Sequence, residues 1–183
     1  MRRRGFSLLL AGTLAGCASS PPRYYRLAAV PGAVRGGDGK RIGVRNVGVP
    51  GDLDQNNLVR PGDAYQLNAY ANDLWAAPLS SMLQTVMVQN LTQRLPGDTV
   101  LQDGGAIGAA PDVYVEIQVL RFTPDASGIV TLQAQIGTRP ASAQDFRLQG
   151  FAATAPGGNT PEGLAQAMST LWGQFADTAA GLV

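Results

Sequence analysis

Two periodicities of apolar residues divide this chain. Two runs are apolar at every second residue, Val113, Val115, Ile117 and Val119, then Val130, Leu132, Ala134 and Ile136. A period of two puts those side chains on one face of a β-strand and leaves Tyr114, Glu116 and Gln118 on an opposite, wet face. The intervening TPDASG is turn chemistry, so the two strands should pair antiparallel, with QDFRLQGFAA as a third. Upstream, RIGVRNVGVP alternates Ile42 and Val44, then resumes at Val47 and Val49 past an irregularity at Asn46, which reads as a bulged strand. Leu58 to Arg60 and Ala64 to Tyr70 flank a Pro61-Gly62 turn and predict a hairpin. RYYRLAA and DTVLQDGG suit short strands.

Elsewhere the apolar step lengthens to three and four. Leu79, Met82, Leu83, Val86, Met87, Leu91 and Leu95 predict a helix that opens after Pro78 and stops at LPG. Leu164, Met168, Leu171, Trp172, Phe175, Ala179 and Leu182 predict another, with Thr160 as N-cap, Pro161 in the first turn and Glu162 near the positive end of the helix dipole. The order is strands, helix, strands, helix. One compact α+β domain follows, an antiparallel or mixed sheet with both helices packed on one face.

At 183 residues the chain suits a single domain, and 45% hydrophobic against 15% charged residues suits a packed one. Removing Arg2, Arg3 and Arg4 leaves 11 basic against 13 acidic residues, a net charge of −2. No clustered basic face remains for nucleic acid. The chain has no His and one Cys, Cys17, which excludes Ser-His-Asp and Cys-His nucleophile pairs and any zinc site built from His or several Cys.

Residues 1–16 read as a secretory signal: MRRR, the apolar GFSLLLAGTLAG, then small residues. The apolar part is too short to cross a bilayer. Leu14, Ala15, Gly16 and Cys17 resemble the lipobox of bacterial lipoproteins. That resemblance implies a cut before Cys17, a diacylglyceryl group on its thiol and an acylated (palmitate-type) amino terminus. Ala18 stands where an inner-membrane retention signal would carry Asp, which by the same resemblance points to the outer membrane. Residues 17–39 are rich in Ser, Pro and Gly and read as a lipidated tether holding a possible first strand; residues 40–183 form the domain proper.

Other candidate chemistry is sparse. GGAIG at 104–108 lacks the Lys-Ser/Thr of a phosphate loop. Asp52, Asp54 and Asp63 match no calcium loop and read as solvated acids, and Ser80 and Ser81 sit near a helix start without a base. NLT at 90–92 matches a glycosylation sequon inside a predicted helix, where it has no role. Trp75, ahead of Pro78 and Leu79, is a staple for the helix start or an exposed anchor for a partner. These three residues are the candidate partner contact. No catalytic, cofactor or metal residue is assigned.

RYYRLA behind the lipobox, RIGVRNVGVPGDLDQNNLVRPG, LWAAPL, DVYVEIQVLRFTPDASGIVTLQAQ and the closing LAQAMSTLWGQFADTAA together resemble the PqiC-like lipoproteins, auxiliary components of ABC-type or MCE-linked intermembrane transport. Ala76 and Ala77 stand where that family often carries an acidic residue, and Ile136 near a frequent aromatic. The resemblance implies a non-enzymatic lipoprotein on the periplasmic face of the outer membrane. Its implied partners are an MCE-domain protein and ABC or integral-membrane subunits, and it is compatible with homo-oligomeric rings. The alternative is a structural lipoprotein of an outer-membrane assembly or secretion complex.

Overall fold

The structure is a computed structural model that describes residues 20–63 and 65–183. The larger sheet has five strands: β2 (Arg41–Gly48), β5 (Thr99–Gln102), β6 (Val113–Pro124), β7 (Ile129–Pro140) and β8 (Arg147–Pro156). Their order is β5-β2-β6-β7-β8; β2 runs parallel to β5 and β6, whereas β6, β7 and β8 form an antiparallel meander. The sheet is mixed because α1 (Leu79–Arg94) lies in the crossover that ends in β5, and a parallel neighbour needs such a crossover.

Both helices cover one face of this sheet, α1 over β2 and β5, α2 (Pro161–Ala180) over β7 and β8. The alternating residues read from sequence supply the buried face: Ile42, Val44, Val115, Ile117, Val119, Val130, Leu132, Ala134 and Ile136. The irregularity expected at Asn46 is a register shift between Val44 and Val47. A second shift, between Val119 and Arg121, turns Phe122 rather than Arg121 into the core, so a two-residue period read onward from Val119 would fail there.

Trp172 joins the layers. It is fully buried, its indole Nε1 donates to the Leu83 carbonyl at 3.0 Å, and its ring lies 6.1 Å from that of Phe122 and 5.2 Å from that of Phe175. The α2 start agrees with its sequence signals: the Thr160 hydroxyl accepts from the Gly163 amide, with Pro161 and Glu162 in the first turn.

At the end where both helices begin lies a second sheet of three strands, β1 (Arg23–Tyr25), β3 (Asn57–Arg60) and β4 (Asn68–Trp75), in the order β1-β4-β3. The hairpin is present, but its second strand begins four residues later than expected and runs on to Trp75; Ala64 itself lies outside the described residues. The shift has a physical source. Asp73 and Trp75 at the far end of β4 are its buried positions, and β1 pairs in parallel with this end, Arg23 opposite Asp73 and Tyr25 opposite Trp75. Asp73 is compensated by the Arg23 Nε at 2.7 Å and the Tyr25 hydroxyl at 3.1 Å.

The Ser/Pro/Gly-rich segment before residue 40 is a strap. From Leu27 onward it crosses the outer side of both helices without regular structure. Leu27 is buried, the Ala28 amide donates to Ser169 Oγ at 3.1 Å and the Val30 amide to Asn90 Oδ1 at 2.9 Å. Farther along, the Arg35 amide donates to the Arg94 carbonyl at 2.6 Å and the Asp38 amide to Asp98 at 2.9 Å. A domain boundary at residue 39, drawn on composition, therefore falls inside the packed structure. From Arg23 the chain is already part of it.

Candidate functional site

Cys17, the expected lipid attachment point, lies outside the described residues. Of the candidate partner contacts, Trp75 and Leu79 are buried at 5% and 2% exposure, so these side chains serve the core and only Pro78 is exposed. Trp75 staples the helix start, and the anchor reading gives way for the simple reason that no partner can reach it.

Pro78 occupies the N-cap of α1 and has no side-chain acceptor to offer, so the cap comes from elsewhere. Asp54, on the loop after β2, accepts the Ser80 amide at Oδ1 and the Ser80 hydroxyl at Oδ2, both at 2.9 Å. It also supplies the negative charge that the first turn of α1 lacks. Asp54 is thus a helix cap. Asp54→Ala should cost about 1 kcal/mol in urea unfolding, as loss of a cap does. A change below the error of that measurement would remove the capping role.

The joint between strap and helices is the most polar part of the interior. Arg94, 1% exposed, directs Nε to Asp177 at 2.7 Å, Nη2 to the Gly173 carbonyl at 2.8 Å and Nη1 to the Val30 carbonyl at 3.0 Å. The Gly32 backbone passes directly over the guanidinium, where a Cβ would stand 2.2 Å from Nη2. Gly173 gives similar room, since a Cβ there would stand 2.9 Å from that of Val30. Sequence reading missed this joint, although it left a signal. Asn90 and Arg94 on α1, and Ser169, Gly173 and Asp177 on α2, are polar or small residues at four-residue spacing. Each set is a second stripe on a helix whose first stripe already faces the sheet.

The opposite face of the large sheet is uncovered by helices. Arg45 sits on it between Asp103, 3.1 Å away, and Glu116, with its guanidinium 4.6 Å over the Tyr114 ring. Arg139 flanks the same ring at 5.0 Å and the Phe146 ring at 5.1 Å. Beside this ridge runs a shallow groove of about 730 Å³, floored by Gly48, Gln118, Gln135 and Gly137 and rimmed by Phe146 and the exposed Leu148. Near the start of the sheet, Arg41 grips Asp112 through its side chain and its amide and holds that carboxyl down at about 2. Amides, an aromatic ridge and a guanidinium neutralised by two carboxylates suit contact with another surface more than proton transfer. Among the described residues no group of His, Cys, Asp and Glu is placed to hold a metal ion, and no helix is long and apolar enough to cross a membrane.

Comparison with known proteins joins these features to a lineage. The model of the ABC-type transport auxiliary lipoprotein component family matches residues 25–180. The chain belongs to this family. The match begins within β1 and so takes in the strap, in agreement with the packing of that segment. The intermembrane transport lipoprotein PqiC of Escherichia coli (strain K12) is 29% identical over 182 residues, a match that covers 92% of this chain and 89% of PqiC. Two crystal structures share the fold. That of an uncharacterized protein has a TM-score of 0.74 at 21% identity, covering 88% of this chain and 98% of its own. A protein from Xanthomonas campestris has a TM-score of 0.70 at 16% identity, covering 88% and 93%.

Proposed function

We infer that this family member is a non-enzymatic accessory subunit of an intermembrane lipid-transport system, fixed by acylated Cys17 to the periplasmic face of the outer membrane. The observation that carries the reading is the pairing of two features in one chain. The family's domain occupies residues 25–180, and LAGC at 14–17 stands just before it behind a signal-like segment. The similarity to a lipoprotein named for intermembrane transport supports the same role. The partners in this reading are an MCE-domain protein and its ABC or integral-membrane subunits, and self-association into a ring is compatible with it.

The contribution of such a subunit is positional. A single acyl chain binds a bilayer only marginally, whereas two or three anchor it stably, so a fully acylated Cys17 keeps the domain at one membrane. Tethering then raises the local concentration of the docking surface for a partner that spans the periplasm. The uncovered sheet face, with its Arg45–Tyr114–Arg139 ridge and adjoining groove, is the surface we assign to that docking. Separation of membranes on a sucrose gradient tests the anchor. The wild-type protein should band with the outer membrane and Cys17→Ala should move to the soluble periplasmic fraction; unchanged retention of the variant would end the anchoring claim.

A further inference from the structure

The strap alters what the anchor implies. Composition gave Cys17 a leash of about twenty residues, but the chain is fixed from Arg23, where β1 pairs with β4 and Arg23 bonds Asp73. Ser20 and Pro21 already line one surface hollow with Ala71, Asn72 and Asp73. Only Ala18 and Ser19 separate Cys17 from Ser20, and the three Cα steps reach at most about 11 Å. A lipid on Cys17 thus holds this end of the fold close to the bilayer, and a short leash restricts how the domain can turn.

The parallel register says which surface is then nearest. Walking back along β1 from Arg23 toward the anchor is walking back along β4 from Asp73 toward Asn68 and the turn that joins β3 to β4. That turn carries Tyr65, wholly exposed, and Leu67, 45% exposed. Leu120 from the bulge in β6, also exposed, shares a groove of about 770 Å³ with both. Three of the large exposed apolar side chains of the domain therefore gather beyond the end where the anchor enters. Arg60 and Arg121 line the same groove, together with Asp52, Asp63 and Asp125. Tyrosine, with an apolar ring and a polar tip, favours the headgroup level of a bilayer, and a neighbouring leucine adds apolar area.

We propose that the β3–β4 turn is a second membrane contact, with Tyr65 and Leu67 seated in the headgroup region of the bilayer that holds the Cys17 lipid. The proposal rests on the lipid-anchor reading of Cys17. It orients the domain: the small sheet and the helix starts face the membrane, and the turn between β7 and β8, near Ala143, points into the periplasm. The Arg139 end of the uncovered sheet face, toward that turn, is then presented away from the bilayer.

Spin-label accessibility in the acylated protein tests this. Cys17 is the chain's only cysteine, and acylation caps its thiol, so an introduced cysteine takes the label alone. Tyr65→Cys, Leu67→Cys and, as a control on the far part of the sheet, Leu148→Cys are labelled and reconstituted into phosphatidylethanolamine/phosphatidylglycerol vesicles. Labels at 65 and 67 should become several-fold more accessible to oxygen relative to a water-soluble nickel chelate, while the label at 148 stays as accessible to the chelate as it is in detergent. If the protein floats with the vesicles and labels at 65 and 67 behave like that at 148, the turn does not touch the membrane and the anchor stands. Should the protein fail to float, the anchor reading falls and the proposal with it.

Discussion

Trp172→Ala should be the most damaging single substitution in the domain, lowering stability by about 3–5 kcal/mol as truncation of a buried tryptophan does. The ring fills the space where α1, α2 and β6 meet, against Phe122 and Phe175, and no smaller side chain nearby can collapse into it without moving a helix. The indole also ties α2 to the Leu83 carbonyl. Domains of this kind have only about 5–15 kcal/mol in total, so the loss is a large share. Urea unfolding should show a lower midpoint at unchanged slope. Trp172→Phe, which keeps most of the packing and gives up the hydrogen bond, should fall well short of the alanine variant. A loss under about 1 kcal/mol for Trp172→Ala would mean that the helices do not meet the sheet through this ring.

Arg94→Leu should cost about 3 kcal/mol and, unlike Trp172→Ala, should act first on one segment. Leucine fills part of the volume but leaves the Val30 and Gly173 carbonyls and the Asp177 carboxylate without the donor that now serves all three. The Ala28, Val30, Arg35 and Asp38 amides still fasten the strap, but Arg94 is the side chain that ties it to both helices at once. Arg26 and Arg35 on the strap are exposed, so limited trypsin digestion should cut there in the variant well before the rest of the domain opens. Arg94→Lys should restore little, because one ammonium cannot span the four acceptors that the planar guanidinium reaches, the Asn90 carbonyl included. Equal trypsin resistance in variant and wild type would show that the strap holds without Arg94.

Much of the fold was legible because its main sheet has one dry and one wet face. Alternation then marks both the strands and the side each residue takes, as in Val113 to Val119 and Val130 to Ile136. The helices were legible by the same logic at their own period. The strap was not legible, because it is held by its backbone: Ala28 and Val30 offer amides and carbonyls, and the side chains that receive them belong to α1 and α2. Small residues and prolines look the same in a free tether and in a segment that must pass close over a guanidinium, as Gly32 does. The three-stranded sheet was hidden for a related reason. Three residues of β1 meet β4 some fifty positions later, and no local pattern announces such a pairing.

The candidate site divides in the same way. LAGC is a local chemical signal, so the proposal of a lipid attachment point at Cys17 needs no knowledge of the fold. Trp75 could not be sorted between staple and anchor until β1 was seen to pair alongside it and bury it. The ridge of Arg45, Tyr114 and Arg139 draws on three strands, with Glu116 of β6 and Asp103 beyond β5 as charge partners, and alternation marked Tyr114 only as wet.

In the proposed function this family member serves a lipid-transport assembly by docking one of its periplasmic components. The decisive test of that role is mild-detergent extraction of the tagged, acylated protein from its own membranes, followed by identification of the proteins and lipids that accompany it. An MCE-domain protein should be among the partners, with bound phospholipid in the complex, and both should be lost when Arg45 and Arg139 are changed to Glu while Cys17 is kept. Recovery of the acylated protein without any MCE-domain partner, or in the company of outer-membrane assembly or secretion components instead, would contradict that role.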